Sequence, residues 1–492
     1  MPNQPIATLP ISLYNTGQAR VLDRIAIEEQ GIAGFELMSR AAAAVLAHIR
    51  RCWPEASQLT IFCGAGNNGG DGYLLASLAL QQGLFVRVFS VCELGQLHGD
   101  AALAREHYLH SGGTITAFDS SLDIAADVLV DALLGIGLAR PVTGLMAEAI
   151  HAINNHPAAT VAVDVPSGLN ANTGNIMGIA VQADMTVTFI SLKQGLFTGQ
   201  AADVCGEIIF ASLAVPNAVY QAVPTSTFRI IPQPLPRRSR CSHKGHFGHV
   251  LIIGGNKGFC GAALLAGTAA LRAGAGLVSI ASHPEHSAFL SLHRPELMCH
   301  GINHAEQLQT LLDKATVIVI GPGLGQDAWA KQLLVNTLAS DKPLVIDADA
   351  LNLLAAQPCQ KDNWILTPHP GEAGRLLACS TADIQQDRFA AVANLQKKYH
   401  GVCLLKGSGS LIASPDSISV STTGNPGMAS GGMGDALCGI IAALLAQGLP
   451  LAEAAQQGAY CHGKAADMAA AAKGERGLLA SDLLPFLRQW VN

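Results

Sequence analysis

The sequence predicts an α/β fold built as two successive domains, the first a doubly wound sheet and the second a further α/β series. Three observations carry this. Short apolar runs alternate with glycine-bearing loops and helical stretches along the chain. Its 492 residues exceed one ordinary domain. A proline-rich break interrupts the alternation, which then starts again. Hydrophobic residues make up 49% and charged residues 13%, a balance that fills large cores and argues against disorder. The net charge of −6 gives no reason to expect nucleic acid.

The elements follow in order. Residues 14–50 read as two helices, the first capped by Thr16 and ended by Gly31. Residues 59–63 read as a buried strand, 64–72 as a glycine loop (Gly-Ala-Gly-Asn-Asn-Gly-Gly-Asp-Gly) and 73–80 as a helix. Strand, glycine loop, helix is the phosphate-binding arrangement of doubly wound sheets. Residues 85–91 read as a strand and 99–110 as a helix. Three more strands are expected at 128–131, 160–165 and 185–190, the last leading to Lys193. Ligands of such sheets bind outside the carboxyl ends of the strands. Asn68, Asp131, Asp164 and Ser167 lie at or just after such ends. Each alone suits a turn; their convergence from three strand–loop units points to a site.

Residues 216–240 carry Pro216, Pro224, Pro232, Pro234 and Pro236, then Arg237, Arg238 and Arg240, with no visible helical period. We read this stretch as a linker, giving domains at 1–225 and 232–492. The second series has no visible sequence copy of the first. Strands are expected at 248–253, 277–281, 316–320, 343–349 (acids at its end), 364–366 and 402–406, with a hairpin through 417–421. His243, His246 and His249 are evenly spaced, but the spacing is not one usual for zinc ligands.

The richest stretch is 424–439, six glycines in sixteen residues, running into an uncharged apolar helix. Glycines let a backbone approach a ligand closely. The first turn of a helix offers unpaired N–H groups and a positive dipole end, both suited to phosphate. A carboxylate there repels phosphate unless it takes a proton, so Asp435 is a candidate general base. The alternative is an acid that only supports the helix start.

The N-terminus lacks a secretory pattern, and the longest apolar stretches break before ~18 residues, so no membrane span is expected. Twelve scattered cysteines without Cys-x-x-Cys fit reduced thiols and a cytoplasmic location. The sequence does not set the oligomeric state and is compatible with a homo-oligomer.

Residues 10–220 resemble the NAD(P)H-hydrate epimerase domain. The matching motifs are Gly-Asn-Asn-Gly-Gly-Asp-Gly, Asp-Ala-Leu-Leu-Gly-Ile-Gly-Leu, Val-Asp-Val-Pro-Ser-Gly-Leu and Lys-Gln-Gly-Leu. The resemblance implies a Rossmann-like fold that inverts C6 of hydrated nicotinamide in NADHX and NADPHX. It implies that Asn67, Asn68, Gly69, Gly70 and Asp71 bind substrate. With them go Gly135, Ile136, Gly137, Leu138, Ala139, Arg140, Pro141 and Asp164. It makes Asn68, Asp131 and Ser167 ligands of potassium, whose preference for oxygen they suit. Asp164 and Lys193 become the acid/base candidates.

Residues 235–490 resemble the ADP-dependent NAD(P)H-hydrate dehydratase, a ribokinase-like enzyme. The motifs are Lys-Gly-His-Phe-Gly-His-Val-Leu-Ile-Ile-Gly-Gly-Asn, Gly-Pro-Gly-Leu-Gly, Asp-Ala-Asp-Ala-Leu-Asn, Thr-Pro-His-Pro-Gly-Glu, Lys-Gly-Ser-Gly-Ser and Gly-Met-Gly-Asp. The resemblance implies that Lys406, Gly407, Ser408, Gly409, Ser410 and Gly434 bind ADP. It places NAD(P)HX at Asp435, Ala262, Gly323 and His369, with magnesium on the phosphates. Both halves then point to one substrate. Two other readings stay open here: a ribokinase-like vitamin-precursor kinase, and an N-terminal half that only binds a ligand.

Overall fold

The computed structural model describes residues 9–92, 97–304 and 306–491. They fold as two compact units that divide between Thr227 and Phe228.

The first unit opens with β1 (Ser12–Tyr14), α1 (Thr16–Glu28) and α2 (Gly34–Cys52). Asn15, not Thr16, caps α1: its side chain accepts from the Gln18 N–H, and Gln18 returns the bond to the Asn15 N–H. On α2, Leu37, Met38, Ala41, Ala42, Val45, Leu46 and Ile49 recur at helical spacing and are buried. Then follow β2 (Gln58–Cys63), α3 (Asn67–Gln81), β3 (Phe85–Ser90), α4 (Gly99–His110), β4 (Ile115–Ala117) and β5 (Val128–Ala132). The unit continues with α5 (Leu145–Asn154), β6 (Ala159–Val163), β7 (Met185–Phe189), β8 (Leu192–Lys193), β9 (Glu207–Ala211) and α6 (Asn217–Ala222). Seven strands form a sheet in the order β4-β3-β2-β5-β6-β7-β9, every pair parallel. Every residue of β5 and β7 is buried, as expected of strands covered on both faces. β8 pairs with β1, setting Tyr14 opposite Lys193.

Two expectations need correcting. The glycine loop is only Gly64–Gly66 long, because α3 already starts at Asn67. Its glycines serve close packing rather than a wide loop. A Cβ on Gly72 would lie 2.7 Å from Ala132 Cβ and 2.8 Å from Cys63 Sγ, and one on Gly70 2.7 Å from Met38 Sδ. The supposed linker also holds α6, whose Val219 is buried in the first core, and the short strand β10 (Thr227–Arg229).

The second unit contains β11 (His249–Ile253), α7 (Cys260–Arg272), β12 (Leu277–Ser282), α8 (Ser287–His293), β13 (Met298–Gly301), α9 (Glu306–Lys314) and β14 (Val317–Ile320). Next come α10 (Ala328–Leu338), β15 (Leu344–Ile346), α11 (Ala348–Ala356), β16 (Trp364–Leu366), α12 (Pro370–Leu377), α13 (Thr381–Gln386), α14 (Arg388–Tyr399) and β17 (Val402–Leu405). It ends with β18 (Leu411–Ala413), β19 (Ile418–Val420), α15 (Met433–Ala446), α16 (Leu451–Lys473) and α17 (Leu484–Trp490). The strand order is β13-β12-β11-β14-β15-β16-β17-β18-β19. All neighbours are parallel except the antiparallel meander β17-β18-β19. α7 and α15 pack so closely that a Cβ on Gly439 would overlap the Ala266 carbonyl. Asp349 lies in the first turn of α11 rather than at a strand end, because β15 stops at Ile346.

Each sheet winds outward from one central strand and then returns to its other side. The reversal falls between β2 and β5 in the first unit and between β11 and β14 in the second. Such switch points leave a crevice at the carboxyl ends. Among the described residues no helix is long and apolar enough to cross a membrane.

A cut between Thr225 and Ser226 should yield two soluble, cooperatively melting fragments. Circular dichroism and thermal melts of each check this; aggregation of both would mean the units need each other to fold.

Candidate functional site

The switch-point crevice of the first unit is built from three strand ends. Glycine brings two of them together, since a Cβ on Gly64 after β2 would fall onto the Leu133 carbonyl after β5. Asp131, fully buried near the end of β5, accepts from the Ser167 hydroxyl (2.5 Å) and the Ser167 N–H (2.7 Å). The Ser167 hydroxyl accepts in turn from the Leu134 N–H (2.7 Å). Burial pushes the Asp131 carboxyl up to about 6, and the hydrogen bonds from Ser167 and Leu133 only partly oppose it. Asn68, in the first turn of α3, is buried with no partner on its Nδ2. The terminal amide can turn to present its oxygen. The donors here are thus a buried carboxylate, a hydroxyl and an orphaned amide, a hard-oxygen set that suits a monovalent cation. Gly135 adjoins Asn68. From there to Pro141 the chain is irregular, with Ile136 and Leu138 packed inward and Gly137, Ala139, Arg140 and Pro141 exposed.

Next to this lies an ionic group. Asp164 sits just past β6 at φ 66°, a left-handed conformation unusual for a residue with a Cβ. Its carboxylate accepts from Lys193 Nζ, Thr188 Oγ1 (3.1 Å) and the Phe189 N–H (3.2 Å). Lys193 is 3% exposed and also donates to Thr188 Oγ1 (3.1 Å) and the Phe189 carbonyl (2.9 Å). Two more acids answer to this pair. Burial, then the charges of Asp164 and Asp23, hold Asp71 well above the usual carboxylate range, against the pull of Lys193. Burial raises Asp23 to about 6, with Lys193 opposing and Asp164 adding. Asp23, on α1, and Thr188, on β7, were not legible as site residues. Nothing in a helix-face Asp or a strand Thr reveals its tertiary neighbours.

In the second unit the loops after β11 and β14 are zipped together. The Gly255 N–H donates to the Pro322 carbonyl (2.9 Å) and the Asn256 N–H to the Gly323 carbonyl (2.7 Å). Ala262 and Phe259 crowd Gly323, so these two candidates, Ala262 and Gly323, are neighbours. Asn256 braces the loop after β14 by donating to the Leu324 carbonyl (3.0 Å) and Asp327 (2.9 Å).

The ends of β15, β16 and β17 carry the charges. Lys406 donates to Asp347 Oδ1 (2.8 Å) and lies 3.9 Å from Glu372 Oε2. Burial alone would lower the Lys406 pKa, but Asp347 and Glu372 outweigh it and raise it. Thr367 Oγ1 also donates to Asp347 (2.8 Å). His369 caps α12: the Gly371 N–H donates to its Nδ1 (3.0 Å), which leaves the proton on Nε2, 3.3 Å from Glu372 Oε1. The Lys406 ammonium therefore turns toward these acids and toward Gly434, where a Cβ would lie 3.1 Å from it.

α15 begins at Met433, after Gly432 at φ 89°, so Gly434 and Asp435 are in its first turn. The half-buried Asp435 is raised to about 7, by burial first and then by Asp347 and Asp349, with Lys406 opposing. A helix dipole alone would act the other way and favour the ionised form. Asp347 and Glu372 were missed as site residues, although signals existed. Asp347 follows a strand as Asp131 ends one, and His369-x-x-Glu372 has capping-box spacing. The three histidines make no metal site. His243 and His246 stack at 3.8 Å, while His249 Nε2 pairs with Ser279 (2.8 Å). No cluster of three His, Cys, Asp or Glu suited to a metal occurs among the described residues.

Fold and sites together define a two-domain α/β enzyme. One unit carries buried oxygen-bearing side chains at its strand ends, the other a carboxylate of raised pKa at a glycine-rich helix start. Residues 34–195 match the family model described as YjeF-related protein N-terminus, and residues 250–488 the one described as NAD(P)H-hydrate dehydratase. The bifunctional NAD(P)H-hydrate repair enzyme Nnr of Coxiella burnetii is 50% identical, over 98% of this chain and 99% of its own. Its counterpart in Escherichia coli is 44% identical, over 100% and 96%. A solved ADP/ATP-dependent NAD(P)H-hydrate dehydratase from Bacillus subtilis, co-crystallised with ATP/Mg2+, is 31% identical with a TM-score of 0.48. It covers 53% of this chain and 95% of its own. The chain belongs to the family of bifunctional NAD(P)H-hydrate repair enzymes.

Asp435 should titrate near 7, read as the carboxyl carbon shift in NMR. Asp347→Asn removes a repelling charge and should move that value down. The stability sign follows from the same shift. The folded-state pKa lies above the unfolded one, so ionisation costs stability as pH climbs from about 4 through about 7. Asp435→Asn should therefore raise Tm at about pH 8 and leave it nearly unchanged at about pH 4. An equal Tm gain at both would mean Asp435 is not raised.

Proposed function

We propose that this chain repairs hydrated nicotinamide nucleotides, the first unit interconverting the C6 epimers of NADHX and NADPHX and the second dehydrating the S form with ADP. The observation that carries the reading is Asp435, raised to about 7 where a helix start invites phosphate. Hydration of the nicotinamide C5–C6 double bond leaves a hydroxyl on C6, and hydroxide is a poor leaving group. Asp435 accepts the hydroxyl proton as its oxygen bonds to the terminal phosphorus of ADP. The bond from that phosphorus to the bridging oxygen breaks, and AMP departs. The first-turn N–H groups of α15, with Gly432 to Gly434 at the start, bind the transferring phosphoryl group. The C6–O bond then breaks with the ring nitrogen lone pair pushing, phosphate leaves, and loss of a C5 proton restores the dihydropyridine.

In this reading Lys406, Gly407, Ser408, Gly409 and Ser410 contact ADP together with Gly434, while Ala262, Gly323 and His369 line the hydrate pocket. Lys406, fixed by Asp347 and Glu372, adds its charge beside Gly434. Magnesium would supply charge neutralisation on the phosphates. In the first unit, Asp164 and Lys193 move protons for ring opening or C6 inversion, over residues 67–71 and 135–141. Asn68, Asp131 and Ser167 hold potassium, whose charge offsets the cost of ionising buried Asp131. A stable phosphorylated product would favour a vitamin-precursor kinase instead.

Asp435→Asn keeps the helix shape and removes the proton acceptor, which typically costs ~10²–10⁴ in rate. With purified epimers of NADHX and ADP, NADH absorbance should fail to recover while each epimer still converts to the other. Normal recovery would return Asp435 to a supporting role. Potassium gives a second test. Ionising Asp131 costs stability as pH rises from about 4 to about 6, and a bound cation offsets it. Potassium should thus raise Tm more at about pH 8 than at about pH 5, and Asp131→Asn should abolish the difference. A response identical in the variant would move the cation elsewhere.

A further inference from the structure

Arg388, the first residue of α14, is 1% exposed. Arginine is almost never buried so deeply without purpose. Its position does not serve its own helix, because a cation at an N-terminus opposes the dipole. Asp387 caps that helix by accepting from the Ala390 N–H (2.9 Å). Burial draws the guanidinium down to about 10, so it stays charged at neutral pH.

Its acceptors say what it does. The guanidinium donates to the Lys406 carbonyl from both terminal nitrogens (3.3 Å each), and to the carbonyls of Leu405 (3.4 Å) and Gly409 (3.5 Å). Nη1 also donates to Gln385 Oε1 (3.0 Å). Three carbonyls of one turn thus point at a single cation. In a trans peptide the N–H points away from the carbonyl. The Lys406 and Gly409 carbonyls face inward, so the N–H groups of Gly407 and Ser410 face the opposite side. The Gly407 N–H donates to Ser410 Oγ (3.3 Å). Gly407 adopts φ 141°, and a Cβ there would lie 2.7 Å from Arg388 Nη1. Only glycine lets the guanidinium approach this backbone.

We infer that Arg388 is a positioning residue for the nucleotide. From beneath the 405–410 turn it clasps the carbonyls, fixes the side on which the Gly407 amide (donating to Ser410 Oγ) and the Ser410 amide lie, and backs the turn with a fixed positive charge for an adenine nucleotide's phosphate. The inference rests on the reading above that residues 406–410 contact ADP. It adds a residue that never touches the ligand and acts through the turn.

The test uses the full chain, with epimerisation as an internal check on folding. Arg388→Lys keeps the charge but loses the two-pronged clasp, Arg388→Met loses both, and Gly407→Ala pushes the guanidinium away. Arg388→Met should raise the KM for ADP about tenfold, the weight of one charge-assisted hydrogen bond, and leave the KM for NADHX within about twofold. Arg388→Lys should recover part of the loss, and Gly407→Ala should reproduce it. If Arg388→Met does not fold, the other two variants carry the comparison. Equal rises in both KM values, or unchanged ADP affinity in every folded variant, would overturn the role. Ser408→Trp in the turn itself tests the underlying reading. If it too leaves ADP binding intact, the turn is not the nucleotide site; if it alone weakens ADP, only the role of Arg388 fails.

Discussion

Both sites depend on one constraint: two neighbouring strand ends must approach until backbone meets backbone. In the first unit Gly64 lies against the Leu133 carbonyl, and in the second Gly254 lies against that of Pro322. Neither contact leaves room for a Cβ. Each falls where the sheet reverses its winding, the place where a doubly wound fold leaves a crevice. Side chains from different strands thereby converge without a dedicated scaffold. Asp131 and Ser167 meet in one crevice; Asp347, Glu372 and Lys406 meet in the other.

The two units use charge differently. The first buries the Asp131 carboxylate with hydrogen-bond donors, from Ser167 and Leu133, as its partners. The second sets a lysine between two acids, as the first sets Lys193 against Asp164 elsewhere in its sheet. Lys406 lies between Asp347 and Glu372, and the neighbouring Asp435 has its carboxyl raised to about 7 by burial and by Asp347. Such tuning sacrifices stability for reactivity, since a buried acid that ionises near neutral pH weakens the folded state in which it works.

The alternation of strands and helices was legible because parallel strands buried on both faces read as continuous apolar runs. The glycine-rich helix starts that carry Asn68 and Asp435 stood out because their motifs are contiguous in the chain. Legibility failed in two ways. Glycine signals mobility and close packing with the same letter, so Asn67 to Asp71 read as loop when they begin α3. Residues that act across the fold carry no local mark. Asp23 reaches its partners from a helix, and Arg388 reaches a turn that comes after it in the chain. The short helix α6 hid among prolines because six residues show too little of a period.

The wholly parallel sheet of the first unit has a consequence for how the chain is made. β2 lies between β3 and β5, and the sheet contains no hairpin that closes locally. As the chain leaves the ribosome, β2 waits with one edge bare until residue 128 has been added. At ~5–20 residues per second that interval lasts on the order of several seconds. During it an apolar strand stands half-paired, open to any other extended segment. The architecture that gathers the crevice from distant strands also makes its central strand the part of the newborn chain most in need of shelter.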